Sequence, residues 1–539
     1  MILLFGIIAL LLIITILFFA SYKPKDRSDV TPLMRAIADN KKFRKINKLI
    51  HKSTTKINAV DGLGRTALMY AIFFYTKSDA EKLIRALIEA EADVNISAKD
   101  GTTALIGATN LKLDNAIITA LIDAGADVNV VTKNGKTPLT YLAGTSPKVD
   151  IIETLINAGA DVNHQGENGV TPLILATALN KNYNVLASLI RARANINTAD
   201  KDGMTPLMWA IKSNKNALAV SALLDNGADV TVKNAKGESP LMLAAIYNED
   251  PEVIDFLIAK DASIADRTSN NDNLLMLAAS FNRNHEVVNC FIKAGLNVND
   301  KNNDGSTALM LTAKNNRKNQ ILKVLANAGC DINTKNNDGY TALMMAARYN
   351  PNHLFISDLL KLGADIDDTN KQNENALMLA CRYNTKHEVA KALVKAGANA
   401  LAKSENSPLI LAARYNSNPA VIKTIIDEGA DVNLKIGITP LMWAAQFNQN
   451  PDIIRVLVKA GAKLETKDDL LGSTVLMLAA KSSKSRDVVK TLVKCGANIY
   501  AKNIFEETAF DYAKKNDAFD MDYEILNILL PRNKRKKKN

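Results

Sequence analysis

From about residue 31 onward, apolar and polar positions recur in blocks with a period of 34 residues. A representative block starts at Thr439: the apolar run LMWAA (441–445), a polar stretch to Asn450, Pro451, and then Ile453, Ile454, Leu457 and Val458. The second set falls on one face of a helix. The pattern predicts two short helices joined by a turn and followed by a polar finger. Two markers keep phase with it. One is the glycine of G-A-D-V-N or its equivalent, at Gly125, Gly159, Gly227, Gly295, Gly329, Gly363 and Gly397, positions separated by 34 or 68. In the wider gaps the phrase survives as Ala194-Asn195-Ile196-Asn197 and Ala262-Ser263. The other is T-P-L-M or a variant, with fifteen starts from Thr31 to Thr508. Thr or Ser there suits an N-cap and Pro suits the next position, which needs no N–H. Glycine supplies the left-handed residue that ends the second helix.

A unit of this size cannot bury its apolar face alone, so stability must come from stacking on neighbours. The start of the chain departs from the pattern. Residues 1–20, MILLFGIIALLLIITILFFA, carry no charge, and as a helix they would span about 30 Å, the hydrocarbon core of a bilayer. A cleaved signal peptide is the alternative, but it needs a basic leading region and a shorter apolar run. No Lys or Arg precedes residue 23. The expected organisation is therefore a transmembrane anchor (1–20), a linker (21–30), a repeat array (31–530) and a basic tail (531–539).

The phrases TPLMWA (205–210), GADVN (125–129) and TAFDYAKK (508–515) resemble ankyrin repeats. The resemblance implies an all-α solenoid of about fifteen helix-turn-helix units with β-hairpin fingers, here preceded by one transmembrane helix. It also implies protein binding without catalysis, at the finger tips and the concave face made by the first helices. Two features depart from the family pattern. Met replaces the His of T-P-L-H at Met34, Met69, Met208, Met242, Met276, Met310, Met344, Met378, Met442 and Met477, which reads as adaptable core filling. The period is one residue longer than the family's usual value, with the extra residue between paired helices, as in Tyr349-Asn350-Pro351.

Composition adds mainly exclusions. The 539 residues carry a net charge of +11, with 47% hydrophobic and 5% aromatic residues. The low aromatic content disfavours stacking on nucleic acid. Cys290, Cys330, Cys381 and Cys495 are far apart, unlike a disulfide framework or a zinc site. His285-Glu286 and His387-Glu388 begin like H-E-x-x-H, but Asn289 and Lys391 stand where a second ligand would be. The expectation is no enzyme, no cofactor and no metal.

The candidate partner site is read from the residues that follow the first helices' A-A. Arg348-Tyr349, Arg382-Tyr383 and Arg414-Tyr415 are consecutive units of one ladder, and the aromatic recurs at Tyr247, Phe281 and Phe447. Its recurrence suggests packing beneath the lengthened turn, whereas Arg and Tyr are enriched among residues that dominate binding energy. Gly397 to Ser407 and Gly429 to Thr439 span 10 residues where Gly363 to Asn375 spans 12. Two shortened fingers should leave a notch beside the ladder. Residues 348–447 are the expected partner surface, favouring an acidic or phosphorylated segment.

Lys23, Lys25 and Arg27 follow the apolar run and favour a cytoplasmic body. The alternative is an exported protein, periplasmic or extracellular, that binds an external or host partner. The tail PRNKRKKKN carries six positive charges. It reads as a solvated tail or a contact with anionic lipid, with nucleic acid disfavoured.

Overall fold

A computed structural model describes residues 29–52, 56–213, 217–316 and 318–530. The chain divides into two compact units at Ser263/Ile264. Among the described residues the first unit holds seven helix pairs, from Pro32–Ala38 with Phe43–Ile50 to Pro240–Tyr247 with Pro251–Ala259. The second holds eight, from Leu274–Phe281 with His285–Lys293 to Ala509–Ala513 with Tyr523–Leu529. Within each unit, first helices pack on first helices and second helices on second helices of the adjacent repeat. Among the described residues no helix is long and apolar enough to cross a membrane. The anchor expected at residues 1–20 and the tail at 531–539 lie outside the described residues.

The caps form as the sequence predicts. Thr341 Oγ1 accepts from Met344 N at 3.4 Å, and Ser407 Oγ from Ile410 N at 3.2 Å. Leu343, Met344, Ala346 and Ala347 of one helix and Phe355, Ile356 and Leu359 of its partner are at most 1% exposed. The methionine row is core: nine of its ten members are at most 2% exposed, and Met378 is half-buried. At the ends of second helices, glycines such as Gly363 (φ +91°) take the left-handed conformation. Where that glycine is missing, Glu91, Arg193 and Asp261 adopt φ of about +62° against the preference of L-residues.

The lengthened inter-helix turn rests on asparagine rather than on the aromatic. Asn350 is 1% exposed. It donates to Ala313 O (3.2 Å) and Asn316 O (2.9 Å) of the preceding repeat and accepts from Asn352 N (3.0 Å). Asn384, Asn416 and Asn448 repeat the arrangement. A single amide thereby satisfies two carbonyls and one N–H that burial would otherwise leave unpaired. The aromatics before it are surface residues, 41% exposed at Tyr383 and 54% at Phe281.

The expected β-hairpin fingers are absent among the described residues, where extended pairing is confined to two isolated bridges. The cause is local. Asn336 Oδ1 accepts from both Asp338 N and Tyr340 N, and Asn302 and Asn370 do the same one repeat away on either side. The side chain takes the donors a strand ladder would use. One backbone bond closes each loop, as from Asn336 N to Tyr340 O. Neighbouring fingers are joined by one more, as from Lys371 N to Asp338 O.

Candidate partner-binding surface

The six residues singled out in the sequence lie at the ends of successive first helices, Ala342–Tyr349, Ala376–Tyr383 and Pro408–Tyr415. Each arginine sits in its helix's last turn, where a cation complements the unpaired carbonyls. The structure brings them into one row in which cation and ring alternate. Arg348 lies 4.9 Å from the Tyr349 ring centroid and 4.1 Å from that of Tyr383. Arg382 lies 5.1 Å from Tyr383 and 4.5 Å from Tyr415. Arg414 closes the row against Tyr415 (4.8 Å), Trp443 (4.2 Å) and Phe447 (4.6 Å). Lys314, over Tyr349 at 5.4 Å, extends it by one repeat. Each stacked cation contributes about 0.5–2 kcal/mol, more as water is excluded.

The three guanidinium groups are not equivalent. Arg348 donates to the Tyr340 hydroxyl at 2.9 Å. Arg382 is bonded to Glu374 at 2.7 Å, a carboxylate that is 5% exposed. Burial pushes the Arg382 pKa down, but the bond to Glu374 outweighs it and holds the group above its ordinary value. Tyr340 and Glu374 stand eight residues before their arginines; the matching residue for Arg414 is the exposed Asn406, on a shortened finger. Among the described residues nothing hydrogen-bonds the Arg414 guanidinium, whereas the buried, unpartnered Nε is common to all three arginines. Arg414 forms the wall of an open depression of about 410 Å³ with Tyr415, Phe447 and Gln449. Sequence reasoning missed these partners; the regular offset of eight was the available signal.

Beside the row the shortened fingers enclose a second hollow of about 250 Å³, lined by Leu401, Lys403, Leu409 and Leu434. Two bonding series lapse at this point. The first is an asparagine clamp: Asn299 Nδ2 donates to Gly329 O and Asn333 Nδ2 to Gly363 O. The clamp resumes from Asn433 to Gly461 O. The intervening positions are Asp367, which has no N–H to donate, and Leu401, which is apolar and 54% exposed. The second is the finger-to-finger bond, made by Lys371 N to Asp338 O and next by Ile504 N to Leu471 O. In this stretch the cation–ring row is a principal side-chain link between repeats.

Elsewhere the reactive groups are inert or scattered. Among the described residues no three His, Cys, Asp or Glu side chains are placed to hold a metal ion. Burial pushes the Cys330 thiol up to about 11 and that of Cys381 higher still. His285 and His387 open second helices beside Glu286 and Glu388 on the surface.

Stacked helix pairs with capped first helices and polar fingers define a helical repeat solenoid in each unit. A family model described as ankyrin repeats (3 copies) matches residues 33–130, 73–166, 105–200, 173–268, 275–370, 350–436, 418–503 and 441–538. The chain belongs to the ankyrin repeat family, a protein–protein interaction module whose members are generally not enzymes. No curated protein matches the sequence significantly. Among 559 matching chains of solved structures is the human ASB11 ankyrin repeat domain. It is 23% identical over 42% of this chain and 98% of that one, with a TM-score of 0.37.

Proposed function

We propose that the chain is a membrane-tethered scaffold that captures an acidic or phosphorylated segment of a partner protein on the surface between Arg348 and Phe447. The observation that carries this reading is Arg414. It is a permanent cation, stacked among three rings, with no hydrogen-bond partner among the described residues, at the edge of an open depression. A planar guanidinium in that position suits a carboxylate or phosphate accepting two bonds. Arg348 and Arg382, held by Tyr340 and Glu374, act as positioning residues for the row. The tether is the apolar run 1–20 with the body on the cytoplasmic side, and the basic tail 531–539 is a solvated segment able to contact anionic lipid.

The test uses fluorescence anisotropy of the full chain with three labelled peptides of equal length, rich in glutamate, phosphoserine or glutamine. The acidic and phosphorylated peptides should bind, with affinity falling as salt is raised. Arg414→Ala should weaken them by about tenfold or more, and Arg414→Lys should restore part of the loss. Equal binding of the neutral peptide, or binding that ignores Arg414→Ala, would remove the proposal.

A further inference from the structure

In the first unit the same helix-end register carries different chemistry. Gly144 and Thr145 stand where later repeats have arginine and an aromatic. The first helix of that repeat, Pro138–Ala143, ends early. A Cβ on Gly144 would meet Leu175 Cβ and Leu179 Cδ1, each at 3.3 Å. Gly144 lines a hollow of about 230 Å³, mostly apolar, together with Val170, Leu175, Leu179, Tyr141, Lys136 and Glu167. The Lys136 ammonium lies 5.2 Å from the Tyr141 ring centroid. A second hollow of about 180 Å³ sits one repeat closer to the N-terminus and shares Tyr141 as its wall. Its lining mixes polar and apolar groups, Asp100, Thr102, Asn110 and the exposed Lys133 beside Phe73 and Ile106. Thr102 holds Asp100 through its N–H (3.0 Å) and its hydroxyl (2.9 Å).

We propose that these two hollows form a docking site for an extended protein segment. An aromatic side chain fills the first, and a hydrogen-bond-donating side chain three residues away reaches Asp100 in the second. Size selects the occupant. A cavity of about 150 Å³ takes a benzene ring, whereas small-molecule sites begin near about 300 Å³, so the first hollow suits one ring of a longer chain. Spacing selects the separation. Adjacent helices lie about 8–10 Å apart, and residues three apart in an extended polyproline II segment share one face at a separation of about 9 Å. Charge selects the second residue, because the Asp100 carboxylate keeps acceptor capacity beyond its two bonds to Thr102.

A phage-displayed random dodecamer library selected on the full chain tests the site. Enriched peptides should carry an aromatic three residues from Arg, Lys, Asn or Gln. A synthetic peptide made from the consensus should lose about tenfold or more in affinity for Gly144→Leu, which adds bulk to the wall of the hollow. Thr145→Tyr should do the same by restoring the residue type that sister repeats carry at this position. Asp100→Asn should weaken the peptide bearing a basic donor more than its glutamine counterpart. The triple change of Arg348, Arg382 and Arg414 to Ala should leave this peptide's binding unchanged, which separates this site from the one proposed in the second unit. Selection without a preferred spacing, binding that survives both Gly144→Leu and Thr145→Tyr, or loss in the triple variant would overturn the proposal.

Discussion

Single residues in this chain act mostly by answering a backbone need. Asp61 is 6% exposed and accepts from Leu63 N, Arg65 N and the Tyr70 hydroxyl while pairing with Arg65 at 2.7 Å. Burial alone would raise its pKa, but the bonds and charge of Arg65 outweigh it and hold the carboxyl below its ordinary value. The stability this group supplies is therefore complete above the unfolded value, about 3.9, and is lost as pH falls through the lower folded value. Asp61→Asn should flatten that acid limb of stability, read by denaturant titrations between about pH 2 and pH 5; an unchanged limb would remove Asp61 from the account. Arg193 illustrates a different need, since its φ of +62° suits glycine. Arg193→Gly should raise stability by about 0.5–1 kcal/mol, seen as a higher denaturation midpoint.

At the scale of the element, two devices join one helix pair to the next. The buried asparagine is the stronger. Asn384→Ala leaves the Ala347 and Asn350 carbonyls and the Lys386 N–H without their partner, and should cost about 2–4 kcal/mol in chemical denaturation. The asparagine clamp on the next repeat's glycine carbonyl is weaker and lapses at Asp367 and at Leu401, whose side chain lies 3.8 Å from the Cβ position of Gly429. Leu401→Asn should restore the bond and stabilise the second unit by about 1 kcal/mol; no gain would show that the shortened finger, not the residue, breaks the series. Much of this scale was legible in advance. Phase, caps and core follow from periodicity, because a helix face has to repeat where its neighbour repeats. What sequence reasoning placed wrongly was the division of labour inside Arg-Tyr-Asn. The aromatic drew attention by size, yet the asparagine carries the buried bonds and the ring lies outside. The fingers were misjudged because the family resemblance implies hairpins, whereas here an Asn at the head of the loop takes the strand donors, as Asn302 and Asn336 do.

At the scale of the whole molecule, each unit reads as neighbours leaning on neighbours, and the proposed partner surface lies at the ends of the first helices. The ladder residues were legible because they break the repeat while the structural residues obey it. Their inequality was not, because it depends on Tyr340, Glu374 and Asn406, which precede the N-cap at the opposite end of each arginine's own helix. The most direct measurement places a photo-reactive amino acid at Tyr415, at Phe447, or at Lys391 on the exposed face of a second helix, in the full chain in its native cells. The account predicts protein adducts at Tyr415 and Phe447 that vanish with Arg414→Ala, and none at Lys391. Adducts spread equally over the three positions, or surviving the loss of Arg414, would contradict it.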